Sequence, residues 1–178
     1  MSKRAQNIPK QTNSTSETKI AVRKARRADA KAIVDLIVGL AQFERLEPPD
    51  SSAKRRLAKD IFEKKLAKVL IASIGRKPVG YALYFYTYSS FTARPTLYLE
   101  DIFVREQHRQ EGVGRVLFIN CVREATRHGC GRMEWQVLTW NVKAMRFYSK
   151  LGARKIGDLR LFRLNHKSIQ SLAKHTGR

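Results

Sequence analysis

Residues 104–118, VREQHRQEGVGRVLF, join the apolar end of a strand, a polar hinge with two glycines and the start of an apolar-periodic helix. Gly112 and Gly114 lie where that helix is predicted to begin. At a helix N terminus several backbone N–H groups have no intrahelical partner, and glycine lets a bulky anion approach them. The residues allow two interpretations, a phosphate-binding loop or a turn that only starts a helix, and a bare G-x-G does not decide between them.

The side chains of the hinge favour an anion but match neither of two familiar phosphate loops. Arg105, His108, Arg109 and Arg115 surround the hinge with basic groups, so a diphosphate is a natural guest. The Gly-Lys-Ser/Thr of a P-loop is absent, and so is the third glycine of the dinucleotide-binding fingerprint.

The strand before the hinge, TLYLEDIFV at 96–104, alternates in a way that assigns its side chains to two faces. Regular alternation predicts that Leu97, Leu99, Asp101 and Phe103 share one face and that Glu100 lies on the other.

The rest of the chain alternates strand-like and helix-like patterns, which indicates an α/β protein with a mixed, mostly antiparallel sheet of six to seven strands and helices on both faces. The predicted strands are 19–25, a hairpin over 68–90, 96–104, 132–140 and a pair of short strands within 153–164. The predicted helices are 26–46, a basic helix from Asp50 or Ser51 to about Lys68, 112–128, 141–152 and 166–175.

Length and composition predict one globular domain over residues 19–178, preceded by a disordered basic tail over residues 1–18. With 178 residues and 43% hydrophobic content the chain can bury a core, and it has no apolar run long enough for a membrane span. The two cysteines, Cys121 and Cys130, form neither a disulfide framework nor a zinc pattern, so we expect no metal site and a reducing, cytoplasmic setting.

The net charge of +21 raises encounter rates with any polyanion. The densest basic stretch lies in the helix after residue 50, and helical spacing puts most of its charges on a solvated face. A charged, water-exposed surface and a nucleic-acid-binding surface both account for this stretch.

Three segments in order resemble the GNAT acetyltransferase superfamily: LEDIFV at 99–104, the Arg-x-x-Gly-x-Gly of residues 109–114, and LTWNVKAMRFYSKLGARK at 138–155. The resemblance extends from residue 21 almost to the end. Within the superfamily the chain resembles the diamine and thialysine acetyltransferase group, through LYLED at 97–101, LAQFE at 40–44 and WNVKAMRFYSKLGA at 140–153.

The resemblance implies acetyl-CoA as the cosubstrate. Its pyrophosphate would bind the backbone amides of the hinge, and its pantetheine arm would run along the strand like an added strand. Asn141 matches a family asparagine that helps to hold this arm. The implied cofactor-binding residues are Ile102, Phe103, Val104, Arg109, Gln110, Glu111, Gly112, Val113, Gly114, Arg115 and Asn141.

Two residues are candidate catalytic groups. Tyr148 matches the family tyrosine near the cofactor sulfur, where a phenol with a pKa of about 10 can protonate a leaving thiolate. Glu100 is the candidate for binding the acceptor ammonium and removing its proton. A stacked aromatic and a strand-edge ion pair are the structural alternatives for Tyr148 and Glu100. An oxyanion would be stabilised by a backbone N–H near Ile102 or Phe103.

The acceptor side is implied to include Phe43 and Glu44 as a substrate-facing pair, although Phe43 also reads as the last core residue of its helix. The group's homodimer is the expected assembly. Polyamine acetyltransferases carry Asp-Pro-Trp after the hairpin tyrosine, whereas this chain has Ser89, Ser90 and Phe91, which favours a lysine-like or short amine over a long polycation. Direct acetyl transfer to such an amine in a ternary complex is the expected function. A protein amino-group acetyltransferase and a nucleic-acid-associated module that retains the fold are the alternatives.

Overall fold

The computed structural model describes residues 19–175 as five strands, five α-helices and two short 3-10 turns. The strands are β1 (Ile20–Lys24), β2 (Lys68–Ile74), β3 (Lys77–Ser89), β4 (Arg94–Val104) and β5 (Arg132–Trp135). The α-helices are α1 (Ala30–Glu44), α2 (Ser51–Phe62), α3 (Val113–Arg127), α4 (Val142–Lys150) and α5 (His166–His175).

Within these residues the five strands form one mixed sheet in the order β1-β2-β3-β4-β5. The first four strands pair antiparallel, and β4 pairs with β5 in parallel. The parallel pair needs a crossover, which α3 supplies. The architecture is the α/β arrangement that the sequence predicts, with fewer strands.

Helices cover both faces of this sheet. Side chains of α1 and α2 form the core on one face together with alternate residues of β2 and β3. Helix α3 covers the other face, where the Leu117 methyl lies 3.3 Å from the position that a Cβ on Gly80 would take. The apolar periodicity predicted for this helix matches the structure, in which Val113, Leu117 and Cys121 of α3 are buried.

The strand count of six to seven is wrong for the described residues. Strand β5 ends at Trp135, and residues 153–165 contain no strand despite their apolar and polar alternation. Since most large apolar side chains in this stretch are exposed, its pattern lacks the buried face that a half-buried strand needs. The basic helix also ends earlier than predicted, at Phe62, because the chain turns there and enters β2 at Lys68.

A β-bulge interrupts β4. Tyr84 of β3 pairs with Leu99, whereas the preceding residue, Leu83, pairs with Asp101, so Glu100 is an extra residue with no partner in the register. A bulge bends its strand and re-aims the side chains beyond it.

The bulge changes which face each side chain of β4 occupies. Phe103 belongs to the core beside α1, and Asp101 pairs with a residue of that same face, whereas Leu97 and Leu99 lie on the face of α3. The prediction that these four residues share one face is therefore wrong, because it assumed unbroken alternation.

A buried carboxylate, that of Glu124, lies in the last turn of α3. The side chain of Glu124 is 1% exposed, whereas those of Lys24 and Arg127 are 62% and 59% exposed. The Nζ of Lys24 lies 3.3 Å from Oε1, Arg127 pairs with the same oxygen, and Nδ1 of His128 lies 3.8 Å from Oε2.

The chain divides into two compact units, the first ending at Gln136 and the second beginning at Val137. The predicted tail, residues 1–18, lies outside the described residues. No helix in residues 19–175 is both long and apolar enough to cross a bilayer.

Candidate active site

The C-terminal part of β4 has a free edge. Strand β5 pairs with β4 only from Thr96 to Leu99, so beyond the bulge the described strands cover only the β3 side of β4. The N–H of Arg105 donates to the carbonyl of Val79 on β3 at 2.8 Å. In a trans peptide the preceding carbonyl, that of Val104, then points the opposite way, toward the free edge.

Strand alternation extends this assignment backward along β4. The N–H and C=O of Ile102 point to the free edge, as those of Val104 do, whereas those of Phe103 point toward β3. An extended ligand can therefore add to this edge as a strand does. Of the amides of Ile102 and Phe103, that of Ile102 points to the free edge and that of Phe103 points to β3.

The N terminus of α3 lies just beyond this edge. The first helical hydrogen bond runs from the N–H of Val116 to the carbonyl of Gly112 at 3.0 Å. The preceding N–H groups of Val113, Gly114 and Arg115 therefore have no intrahelical acceptor. No acidic residue occupies the first turn of the helix, so no carboxylate within α3 offsets the positive end of its dipole.

The two hinge glycines differ in whether the fold needs glycine at their positions. Gly112 has a φ of 85°, in the left-handed region that glycine tolerates best. Gly114 has an ordinary helical φ, and a Cβ there would meet only a Val104 methyl, at 3.8 Å. The fold therefore requires glycine at 112 and does not require it at 114.

The predicted cofactor loop is continuous in space with the edge of β4. Residues 102–104 lie at the end of that strand and residues 109–115 at the start of α3, joined by a 3-10 turn over Glu106–His108. Gln110 adopts a left-handed φ of 67°, and Glu111 lies 3.2 Å from Nδ1 of His108 through its Oε2. The ten sequence-predicted loop and strand residues are thus brought together.

The Arg109 side chain turns back from this loop. Its Nε–H donates to the carbonyl of Val104 at 3.1 Å, and its guanidinium carbon lies 4.4 Å from the centre of the Phe43 ring. Phe43 is 36% exposed, so it is not the fully buried core residue of the structural alternative.

The charges of Glu44 and Glu100 act on a third carboxyl group, that of Asp101, which the sequence-based prediction did not include in the site. Asp101 accepts a hydrogen bond from the Tyr81 phenol at 3.0 Å. Burial, followed by the charges of Glu100 and Glu44, raises the pKa of Asp101 to about 6, although the Tyr81 hydrogen bond opposes that rise. Burial also raises the pKa of Glu44.

The adjacent acidic residues Glu100 and Asp101 differ in how exposed they are to solvent. Glu100 is exposed at the bulge, whereas Asp101 is half-buried. The sequence-based prediction assigned the substrate role to Phe43, Glu44 and Glu100, and not to Asp101. In the sequence, only its position directly after Glu100 could have pointed to Asp101. In the structure, the bulge at Glu100 places Asp101 on the same face of the sheet as Tyr81.

The second unit contains the other two predicted residues. Asn141 caps α4, since its Oδ1 accepts a hydrogen bond from the N–H of Ala144 at 3.1 Å. Tyr148 is buried within α4, and its ring contacts the Phe147 ring edge to face at a centroid distance of 5.1 Å. In residues 19–175 there is no cluster of three or more His, Cys, Asp or Glu side chains suited to a metal ion.

The Acetyltransferase (GNAT) family profile matches residues 33–153. The thialysine N-epsilon-acetyltransferase of Mus musculus is 34% identical over 164 residues, which are 85% of this chain and 96% of the mouse protein. The L-ornithine N5-acetyltransferase NATA1 of Arabidopsis thaliana is 41% identical over 95 residues, but this chain spans only 42% of that protein and the match 53% of this chain.

Solved structures support the fold. An integron cassette protein from V. cholerae superposes with a TM-score of 0.74 at 23% identity, covering 87% of this chain and 98% of that one. A probable acetyltransferase superposes with a TM-score of 0.73 at 20% identity, over 82% of this chain and 97% of that one. At these identities the likeness concerns the fold alone.

Proposed function

This chain belongs to the GNAT acetyltransferase family and is an N-acetyltransferase, and we propose that it transfers the acetyl group of acetyl-CoA directly to a primary amine of a small molecule. A lysine-like, thialysine-like or diamine acceptor is the substrate class that we propose. The mouse and plant relatives are named for thialysine and for ornithine, which are amines of this kind.

The observation that carries the proposal is the junction of the free edge of β4 with the N terminus of α3. Acetyl-CoA is a long chain that carries amide groups and ends in a diphosphate-linked nucleotide. The residues present fit it, because the edge offers the N–H and C=O of Ile102 to an added strand. The N–H groups of Val113, Gly114 and Arg115 offer donors to phosphate oxygens.

Open space at the two hinge glycines supports the same fit. A Cβ on Gly112 would meet nothing within 4 Å, and one on Gly114 would make only an ordinary contact. The absence of side chains at both positions keeps that space clear above the amides, so phosphate oxygens can reach hydrogen-bonding distance.

Acetyl-CoA, when bound, supplies an acetyl thioester beside the edge of β4. The chain's own residues attract, orient and deprotonate the acceptor. The carboxylates of Glu44, Glu100 and Asp101 form an anionic region in a chain of net charge +21, so they draw an ammonium to this end of the sheet. Glu100, which is exposed, can pass the acceptor's proton to solvent.

We further propose that Tyr148 holds the phenolic proton that the leaving sulfur needs and that Asn141 helps to hold the cofactor arm. Both assignments rest on the match of residues 140–153 to the family pattern. The capping role of Asn141 leaves its amide N–H groups as donors.

We also propose a cytoplasmic homodimer. The thiols of Cys121 and Cys130 are both free, which is compatible with a reducing setting. Exposed apolar side chains at Leu159, Leu161 and Phe162 supply surface of the kind that subunits bury. Sedimentation equilibrium of the full chain tests the assembly, and a monomer at all concentrations would contradict it.

The function is tested by thiol release from acetyl-CoA across a panel of lysine, thialysine, ornithine, short diamines, spermine and a lysine-containing peptide. We expect release with the short amines and the amino acids. For Tyr148→Phe we expect a kcat at least about 10²-fold lower than that of the wild type. No release with any member of the panel would refute the enzyme proposal. Release with the peptide alone would favour the protein-modifying alternative.

A further inference from the structure

We propose that Arg109 is a positioning residue, whose side chain fastens the cofactor loop of residues 105–112 to the end of α1 and does not serve as a phosphate ligand. The inference rests on the proposed use of this loop for acetyl-CoA. It differs from what the Arg-x-x-Gly-x-Gly spacing suggests, since a basic residue in such a loop is readily taken for a charge that meets the pyrophosphate.

The hydrogen bond of Arg109 is the first support. Its Nε–H donates to the carbonyl of Val104, the last residue of β4, at 3.1 Å. That carbonyl points to the free edge, because the N–H of the same peptide group, that of Arg105, donates to Val79 on β3. Arg109 therefore uses one of the two lone pairs of the last carbonyl on this edge, which ties the loop to the end of β4.

The stacking of the guanidinium is the second support. Its central carbon lies 4.4 Å from the Phe43 ring centre and 5.8 Å from that of Phe103. Phe103 is buried against α1, where a Cβ on Gly39 would be only 3.1 Å from the ring. The planar group thus joins three elements: the end of α1, the end of β4 and the loop.

The conformation of the loop explains why such an anchor matters. Directly after Arg109 the backbone passes through two left-handed residues, Gln110 at a φ of 67° and Gly112 at 85°. Left-handed backbone is disfavoured for a residue with a side chain, so Gln110 holds this conformation only if its surroundings enforce it. An anchored Arg109 fixes one end of this turn, and the first turn of α3 fixes the other.

The same contacts revise the role of Phe43. The face of its ring that meets the guanidinium is taken, so that face cannot bind the acceptor ammonium. Phe43 instead supports the loop from the acceptor side. A change at Phe43 should therefore weaken acetyl-CoA binding, which a residue that only contacts the amine would not do.

Lysine distinguishes the two roles of Arg109, because it keeps the charge but has neither the planar stacking group nor the Nε–H. Isothermal titration of CoA into the full chain compares wild type with Arg109→Lys, Arg109→Met, Phe43→Leu and the double variant Phe43→Leu/Arg109→Lys. Arg123→Lys, on the exposed surface of α3, is the matched control.

We expect Arg109→Lys and Arg109→Met to weaken CoA binding equally, by about tenfold, and Phe43→Leu by about threefold. The double variant should be no weaker than Arg109→Lys alone, since both changes break one unit. Backbone hydrogen exchange of residues 104–112 in the ligand-free protein should speed up in each variant. The Arg123→Lys control should change neither measurement.

CoA affinity of Arg109→Lys within twofold of wild type, with Arg109→Met much weaker, would overturn the proposal and assign the side chain a charge role. Unchanged hydrogen exchange in residues 104–112 would also overturn it. A wild-type protein that binds no CoA would instead refute the proposed function, so the two failures are distinguishable.

Discussion

The Tyr81 phenol on β3 donates a hydrogen bond to Oδ2 of Asp101 on β4 across 3.0 Å. The pair exists because the bulge at Glu100 moves Asp101 to the α1 face of the sheet. There burial disfavours both charged forms, so the pKa of Tyr81 is raised and that of Asp101 rises to about 6.

The raised pKa of Asp101 predicts a stability that falls as pH rises. The folded protein holds this proton to about pH 6 and the unfolded chain only to about 3.8, so the protonated carboxyl favours folding. This contribution to stability is complete below about pH 4 and is lost as pH rises through about 6. The free energy of unfolding falls by about 3 kcal/mol over that range.

Asp101→Asn should remove this dependence while keeping an acceptor for Tyr81. We expect the variant to be more stable than wild type above pH 6 and the difference to shrink toward pH 4, measured by urea unfolding across that range. Equal pH slopes in the two proteins would show that Asp101 is not the group responsible. Because the variant also loses one carboxylate beside the edge of β4, its KM for the amine should rise.

Gly114→Ala is predicted to separate binding from stability. Since the added methyl would make only an ordinary contact and helix propensity improves, the free energy of unfolding should rise by about 0.5 kcal/mol. Above the amides the methyl occupies space needed by phosphate oxygens, so the affinity for acetyl-CoA should fall at least tenfold. Calorimetric titration and thermal unfolding measure the two effects.

Gly80→Ala is the matched comparison. A Cβ there would lie 2.7 Å from the backbone carbonyl oxygen of Phe103 and 3.3 Å from side chains of Val104 and Leu117. We expect a loss of about 2 kcal/mol in the free energy of unfolding, because backbone cannot move aside as a side chain does. If Gly114→Ala proved the more destabilising of the two, the assigned roles would be reversed.

The buried carboxylate of Glu124 predicts an asymmetric result at its ion pairs. In the double variant Lys24→Met/Arg127→Met the buried carboxylate of Glu124 loses its two cationic partners. We expect the free energy of unfolding to fall by about 2 kcal/mol, because the charge stays buried without them. Glu124→Gln leaves only solvated cations and keeps the shape of the side chain, so its loss should be smaller. Urea unfolding at pH 7 tests the order, and a larger loss for Glu124→Gln would contradict it.

Deletion of residues 1–18 should leave kcat and KM unchanged, because the family match begins only at residue 33. Thiol-release kinetics of the full and shortened chains make the comparison. Lost activity in the shortened protein would assign the tail a catalytic or structural role.

Local pattern was sufficient for much of this protein. Apolar periodicity predicted α1 and α3, the strand-like pattern of residues 68–90 predicted the hairpin of β2 and β3, and three segments in order resembled the family to which the chain belongs. The start of α3 at the two hinge glycines was predictable because the apolar-periodic run begins there, whereas the left-handed φ of Gly112 is seen only in the structure. Each of these inferences uses residues that are neighbours in the chain.

Only the tertiary structure decided what depends on pairing between distant residues. The bulge at Glu100 is a mismatch of register between β3 and β4, so the sequence of β4 alone predicts unbroken alternation and misses Asp101. The stack of Arg109 on Phe43 joins residues 66 positions apart. No periodicity records such a contact, because its energy comes from groups that meet only after the sheet and helices have packed.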